Sequence, residues 1–354
     1  MAAIPPATMA PNLVFRHTDR TSHHTLQVGS EPRPSAGPNE VLVQVRGVTL
    51  NYRDTIVANN TNPFPVKTNV VPCSDGADVV VELGADVDSL EVGDRVISNF
   101  DVSNLYGPQT DWLHSLGGPL DGMLRQYIVL QAQALTKVPK DCNLSFVQMA
   151  SLVASGVTAW NALFGNIPLK PGQTVLFQGT GGVSIFGLQI AKAAGAVTII
   201  TSSSDDKLKF DQEKFGADYV INYKTKPNWA AKATKITHGR GVEFVLETGG
   251  SGTIKQSVEA CTRGGIIAMI GFLSPAKQEE MADVAGLALA HECTIRGIAV
   301  GSQQLLRDLV RFVSSKNIQP YVQKTFGFSR EEVLEAFDYL QAGPMGKVGI
   351  EISH

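Results

Sequence analysis

Two rhythms of apolar and polar positions divide the chain. In the first third, short apolar runs at 41–48, 77–83, 95–99 and 125–130 are bounded by Gly, Pro or Asp, and predict β-strands. Residues 99–122 are rich in Asn, Gly, Pro and Asp and lack a period, which predicts an excursion loop. Over 144–164 the apolar spacing becomes helical, and Pro168 and Pro171 stop it. From Gly172 onward the pattern is regular. Strand-like runs at 174–178, 197–201, 219–222, 242–247, 265–270 and 294–300 alternate with helical segments at 186–194, 205–215, 229–237, 253–261 and 282–290. Six strands separated by five crossovers predict an α/β fold with a doubly wound parallel sheet. Right-handed crossovers give that sheet the order 3-2-1-4-5-6. Helices over 303–315 and 331–341 and a strand over 348–352 fall outside it and are expected to pack back on the first domain.

The first βα junction carries the candidate chemistry. VLFQGTGGVSIFGLQIAKAAG (175–195) places a strand, then Gly179, Thr180, Gly181, Gly182, Val183 and Ser184, then an amphipathic helix. Glycines there let the backbone approach a pyrophosphate, whose charge the helix N-terminal N–H groups and dipole stabilise. Ser184 stands where the fingerprint has its third glycine, and is small enough for close packing. Cofactor choice is read one strand later. NAD sites end that strand in Asp or Glu, which bonds the ribose 2′-OH. Here it runs into Ser202, Ser203, Ser204, Asp205, Asp206 and Lys207. Hydroxyls and a lysine suit a 2′-phosphate of about two negative charges, so NADP is favoured over NAD. Ser204 or Asp205 also suits a helix cap. Asp205 and Asp206 are a counter-signal unless they face solvent.

Composition narrows the class. The chain has 354 residues, 43% of them hydrophobic and 18% charged, enough for two domains with buried cores. A formal net charge of −3 offers no basic field for nucleic acid or an anionic membrane. The four cysteines, Cys73, Cys142, Cys261 and Cys293, form no CxxC pair and read as free thiols in a reduced compartment. No run reaches the ~18–20 apolar residues of a membrane span. The N-terminus has neither the basic nor the apolar region of a secretory signal. A cytoplasmic enzyme is the expectation.

Several further segments carry a resemblance. LNYRD (50–54), VPCSDGADVVVELGADVDSLEVGDRV (71–96), GMLRQYIV (122–129), SGVTAWNAL (155–163), LKPGQTVLFQGTGGVSIFGLQIAK, KFGADYVINY, LETGG, IAMIGFL and MGKVGIEI follow one another in order. Together they resemble the medium-chain dehydrogenase/reductases, most closely the zinc-free quinone-oxidoreductase-like branch. The resemblance implies a GroES-like β-barrel catalytic domain built from 1–150 and 301–354, flanking a Rossmann domain over 151–300. It also places Thr158 near the nicotinamide and Tyr223 by the 2′-phosphate. Gly249, Gly271, Phe272, Leu273, Gly301 and Ser302 would lie in loops around the nicotinamide, and Lys347 would be a basic position near the cofactor. Where zinc alcohol dehydrogenases have their metal-binding Cys, His and Cys, this chain has Asn51, Ser74 and Ala154. None of these replaces a thiolate or imidazole. The region of the four-cysteine structural lobe, 101–118, contains no cysteine. His23 and His24 are adjacent, and His17, His114, His238, His291 and His354 are isolated, so each reads as a surface or satisfied core histidine. No metal is expected.

Without a Lewis acid, a simple ketone is a poor hydride acceptor, whereas an enone or quinone delocalises the developing charge. Candidate catalytic side chains are Asn51, to polarise an oxygen, Tyr52, to donate a proton, and Asp54; Lys67 is a further donor. The bland alternatives are a structural Arg53–Asp54 ion pair, a packed Tyr52 and a solvated Lys67. The primary expectation is therefore NADPH-dependent reduction of a conjugated carbonyl or quinone. A zinc-free NADP-dependent alcohol dehydrogenase or ketoreductase, and an NADP-binding protein without redox activity, are the alternatives. The pocket is expected between domains, lined by Tyr52, Phe64, the 98–118 loop (Phe100, Leu105, Tyr106, Trp112) and the 272–303 region. The last Rossmann strand, CTIRGIAV, would be an exposed edge, and a homodimer formed through it is expected.

Overall fold

The longest strand organises the catalytic half. In the computed structural model of the chain, which describes residues 11–353, β1 (Asn12–Arg16) and β2 (Gln27–Glu31) form an antiparallel pair. β3 (Glu40–Leu50) follows, then helix α1 (Tyr52–Ala58), β4 (Asp75–Leu83), β5 (Arg95–Ser98), β6 (Tyr127–Gln131) and β7 (Leu135–Lys137). After α2 (Phe146–Ala150), a wide turn at Leu152–Gly156 leads into α3 (Val157–Phe164). The alternating half comprises β8 (Thr174–Gln178), α4 (Gly182–Ala193), β9 (Val197–Ser202), α5 (Asp205–Phe215), β10 (Tyr219–Asn222), α6 (Trp229–Ile236), β11 (Val242–Glu247), α7 (Ile254–Ala260), β12 (Cys261–Met269), α8 (Val284–His291) and β13 (Thr294–Gly297). Helix α9 (Gln303–Lys316), β14 (Val322–Phe326), α10 (Arg330–Gln341) and β15 (Lys347–Glu351) complete the chain.

The parallel sheet runs β10-β9-β8-β11-β12-β13, which is the 3-2-1-4-5-6 order. Its strands 174–178, 219–222 and 242–247 lie where their apolar runs place them. Two edges differ. Helix α4 begins at Gly182, directly on the glycine turn, rather than at 186, and β13 ends at Gly297 rather than 300. The second sheet runs β14-β15-β3-β4-β5-β7, with β6 also pairing to β3. Strand β15 lies antiparallel to β3, Val348 opposite Leu50, so residues near the C-terminus close the sheet that begins the barrel. Strand β4 starts at Asp75, two residues before its apolar run, which brings Asp75 opposite Thr49.

Three apolar cores follow from these sheets, one of them gathering Leu176, Ile199, Trp229 and Ile254 on one face of the parallel sheet. Val14, Phe15, Leu26, Val43 and Val45 of the barrel pack with Phe337 of α10 and Ile350 of β15. Helix α9 behaves differently from the rest of the tail. Its Leu306, Leu309, Val310 and Val313 belong to the core of Val175, Phe177 and Leu188, which also takes in Ile97, Phe100 and Val138 from the barrel. The helix is thus seated at the junction of the two halves. Segment 99–122 is the expected excursion, crossed by single bridges such as Asp101–Ser115. All four cysteines are free. Among the described residues, no helix is long and apolar enough to cross a membrane.

His17 is buried with neither ring nitrogen hydrogen-bonded, its ring edge-on to Phe337 at 6.3 Å. Burial, with Arg20 nearby, pushes its pKa down to about 4. The unfolded chain takes up a proton near pH 6.5 and the native chain does not. Stability is therefore full above about 6.5 and falls as pH drops toward about 4, by on the order of 3 kcal/mol across that window. Urea unfolding of the wild type and of His17→Phe near neutrality and near pH 4.5 checks this; the variant is expected to show a shallower pH dependence.

Candidate active site between the two sheets

The parallel sheet reverses strand order between β8 and β11, and crevices at such points receive ligands. Gly179 leaves β8 with φ of +71°, a left-handed turn that favours glycine. A Cβ added at Gly179 or Gly181 would meet nothing within 4 Å, so open space lies over the backbone at the start of α4. That shape, at a helix N-terminus whose first N–H groups have no partner within the helix, fits a dinucleotide pyrophosphate. Thr180 is buried, and its carbonyl accepts a hydrogen bond from Gly346 N at 2.9 Å. At Gly182 there is no room: a Cβ would come within 2.7 Å of Lys347 Cδ and 2.8 Å of Ser155 Oγ. Val183 packs partly buried on the core. Ser184 turns inward and donates to the Gln178 carbonyl at 2.7 Å, a use for the position that glycine lacks.

At the end of β9 the serines separate into different jobs. Ser202 Oγ accepts from Ser204 N at 3.3 Å, and Ser204 Oγ accepts from Lys207 N at 3.4 Å, so Ser204 caps α5. Ser203 remains partly exposed. Tyr223 is joined to this ledge by its N–H to the Ser202 carbonyl at 3.0 Å, and its ring is exposed. Asp205 accepts from Asn222 Nδ2 at 2.8 Å and Asp206 faces solvent. Lys207 Nζ reaches the Gly343 carbonyl at 2.7 Å, so the ledge is continuous with the C-terminal segment.

A buried network that sequence reasoning did not find holds the facing loops. Glu247, at the end of β11, is fully buried. Its Oε1 accepts from Gly249 N (2.8 Å), Gly250 N (2.9 Å) and Thr253 Oγ1 (2.6 Å). Its Oε2 accepts from Gln178 Nε2 at 2.8 Å and from Ser257 Oγ. Leu273 N and Ser274 N then bond the Thr248 and Gly249 carbonyls at 3.2 and 2.7 Å, which fixes the Gly271–Phe272–Leu273 loop. The only signal for this was an acid immediately before TGG. Phe272 and Leu273 are half exposed, and Phe272 meets Tyr52 edge-on at 6.3 Å across the cleft. Thr158 is buried in α3. Gly301 has Val157 Cγ1 at 2.5 Å from where a Cβ would lie. The hydroxyl of buried Ser302 caps α9 by accepting from Leu305 N at 3.5 Å, so Ser302 acts here as a helix cap.

The catalytic candidates divide in the same way. Lys347 Nζ, buried, donates to the Leu50 carbonyl (2.8 Å), Asn51 Oδ1 (2.7 Å) and Asp75 Oδ2 (3.1 Å). Asp75 also accepts from Thr49 Oγ1 (2.9 Å) and Ser74 Oγ (2.8 Å). Lys347 thus presents its methylenes to the glycine turn and its ammonium to the barrel. Asn51 Nδ2 is buried with no hydrogen-bond partner. Asp54 accepts from Asn51 N at 2.8 Å, and burial pushes its carboxyl up to about 6. Arg53 does not form the alternative ion pair with Asp54. Its guanidinium goes to the Leu116 carbonyl (2.7 Å) and Ser115 Oγ (3.2 Å), and lies over the Phe100 ring. Lys67 pairs with Asp121 at 2.9 Å, and Arg16 binds the same carboxylate, so Lys67 is not joined to Asn51, Tyr52 or Asp54. Phe64 and Trp112 stack at 4.0 Å. His23 is buried and His24 exposed, a core and a surface histidine side by side. Both lie on Asp338, 2.8 and 3.3 Å from Oδ1.

A glycine-turn crevice beside a GroES-like sheet is the arrangement of nicotinamide-dependent oxidoreductases, and comparison with known proteins agrees. Residues 37–140 match the family described as "Alcohol dehydrogenase GroES-like domain", and residues 182–315 match "Zinc-binding dehydrogenase". A zinc-type alcohol dehydrogenase-like protein of Schizosaccharomyces pombe is 45% identical over 321 residues, 89% of this chain and 91% of its own. A quinone oxidoreductase-like protein 2 homolog of Nematostella vectensis is 30% identical over 327 residues, 89% of this chain and 82% of its own. A crystal structure described as "putative Alcohol dehydrogenase from Sinorhizobium meliloti 1021" superposes with a TM-score of 0.87 at 35% identity, covering 97% of this chain and 99% of that one. The chain belongs to the medium-chain dehydrogenase/reductase superfamily.

Removing the buried cation tests the centre of this site. Lys347→Met leaves Asp75 buried with only hydroxyl partners and is expected to cost about 3–5 kcal/mol in denaturant unfolding. Adding Asp75→Asn to Lys347→Met should return part of that loss.

Proposed function

We propose that the protein is an NADP-dependent, zinc-independent reductase that delivers hydride to a conjugated enone or a quinone. The observation that carries this reading is the Lys347–Asn51–Asp75 cluster. At the positions corresponding to the zinc ligands, Asn51 Oδ1 is occupied by an ammonium, Ser74 donates to Asp75, and Ala154 offers only a methyl group. This donor set does not suit zinc, which takes thiolate, imidazole or carboxylate. The partly exposed Ser203 and exposed Tyr223, with Lys207 beside them and Asp205 engaged by Asn222, favour a 2′-phosphate over a ribose hydroxyl.

The bound cofactor would supply hydride from its nicotinamide in the cleft beyond Gly271–Leu273. The chain's own residues handle the oxygen. Charge that develops on an enone oxygen as its β-carbon accepts hydride is stabilised by hydrogen-bond donors. Tyr52, exposed on the cleft wall opposite Phe272, gives its proton to that enolate oxygen and is reprotonated from water. Asn51 Nδ2, the orphaned donor beside Lys347, adds polarisation. The half-exposed Phe272 and Leu273 and the stacked Phe64 and Trp112 suit an apolar, flat acceptor.

Oxidation of NADPH, measured with an enone, a quinone and an unactivated ketone in the presence of a chelator, tests the reading. Turnover of the first two with NADPH preferred over NADH is expected, and Tyr52→Phe should lower kcat by about 10²-fold or more. Turnover of the ketone alone, or loss of activity on chelation, would overturn it in favour of an alcohol dehydrogenase. We also propose that the chain pairs with a second copy through β13. That strand is the edge of the parallel sheet, and α8 beside it buries no residue and leaves Leu289 81% exposed. Light scattering should give a dimer, and Leu289→Glu should shift it toward monomer.

A further inference from the structure

The turn between β1 and β2 carries two histidines that the sequence leaves without a partner. In the fold, α10 supplies one. Ser22 caps the turn, its Oγ accepting from His24 N at 3.2 Å, and Arg330 of α10 donates to the His24 and Leu26 carbonyls at 2.9 and 3.1 Å. The backbone of the turn is therefore held against the helix. His23 is buried, its ring stacked on Phe337 with centroids 5.6 Å apart and planes within 10°. His24 and Asp338 are exposed beside it. The Nε2 atoms of both histidines converge on Asp338 Oδ1, and the three side chains' ligating atoms lie within 4.8 Å of one another.

We propose that His23, His24 and Asp338 form a binding site for a borderline divalent cation of the Zn(II) or Co(II) type. Without a cation, His23 Nε2 is hydrogen-bonded to this carboxylate oxygen and His24 Nε2 lies 3.3 Å from it. With one, two imidazole nitrogens and a carboxylate oxygen form a three-ligand set that such ions prefer, with water completing the coordination. Metal bonds of about 2.0–2.1 Å in tetrahedral geometry set neighbouring ligand atoms about 3.3 Å apart. The His24–Asp338 separation is already 3.3 Å, and the His23–Asp338 separation of 2.8 Å opens by rotation of the exposed Asp338 side chain. Gln341, one turn beyond Asp338, lies 3.3 Å from His23 Nδ1. Turned about its amide, it accepts the Nδ1–H that a metal-bound Nε2 requires, the outer contact that metal-ligating histidines make. The ion would cross-link the β1–β2 turn to α10. None of these elements carries a residue of the candidate active site, so the site stands apart from both zinc positions of the zinc alcohol dehydrogenases.

Tag-free protein is stripped with a chelator, dialysed, and titrated with Zn(II) by calorimetry and with Co(II) by visible absorption. One ion per chain and a thermal midpoint that rises with Zn(II) are expected. His24→Ala and Asp338→Asn change exposed side chains, and each should weaken binding at least about tenfold. His238→Asn, an exposed histidine elsewhere, should leave binding unchanged. Absence of stoichiometric Zn(II) binding, or binding that survives both His24→Ala and Asp338→Asn, would overturn the proposal. Reductase activity is not the readout, so the result is independent of the function proposed above.

Discussion

A single buried ammonium ties β15 to the end of β3, the head of α1 and the start of β4, directly beneath the glycine turn. Lys347 reaches its place because β15 pairs with β3, which sets Val348 beside Leu50 and brings the lysine to the mouth of the barrel. A lysine so deeply buried is tolerable only with several acceptors and a counter-charge. Leu50, Asn51 and Asp75 supply them. The consequences spread outward. Asp75 must sit in the sheet for its carboxylate to meet the cation, Asn51 is fixed at the head of α1, and the lysine's methylenes leave no volume for a side chain at Gly182. The neighbouring Gly346 binds the glycine turn directly. Catalytic and cofactor geometry therefore share one anchor.

A second polar network performs the corresponding task on the far wall. Glu247 gathers five donors from three segments, so each of its oxygens is satisfied and the residues around the cleft are held by hydrogen bonds as well as by apolar packing. The contrast with Asn51 is informative. There a buried amide donor has no acceptor within the protein. Fully satisfied polar groups frame the cleft, and an unsatisfied one lies beside the ammonium at its floor.

The parallel sheet was legible because a buried strand and an amphipathic helix differ in period, and each unit from β8 to β13 repeats that contrast. The glycine turn was legible for the same reason: it sits where the period changes. Residues that act locally, such as Ser204 capping α5, were within reach of sequence reasoning. Those that act at long range were not. Lys347 could be matched to a basic position near the cofactor, yet its three acceptors lie 272 to 297 residues away, and only strand pairing shows that its charge faces the barrel. Lys67 looked free because Asp121 and Arg16 are distant in sequence. Asp338 is likewise far from His23 and His24. Helix α9 has an apolar face, but which sheet receives that face is a property of the finished junction.

The pairing of β15 with β3 also bears on how the protein is made. Chains emerge from the ribosome in order, and domains tend to fold as units as they appear. The parallel sheet, contained within 174–297, has all its strands well before β15 is synthesised. The barrel does not, because β14, α10 and β15 complete its sheet and core. Until Lys347 arrives, Asp75 has no cation and the glycine turn lacks its clasp at Gly346. A chain broken off before that point would retain a folded nucleotide-type sheet attached to an open barrel, with apolar strand faces uncovered.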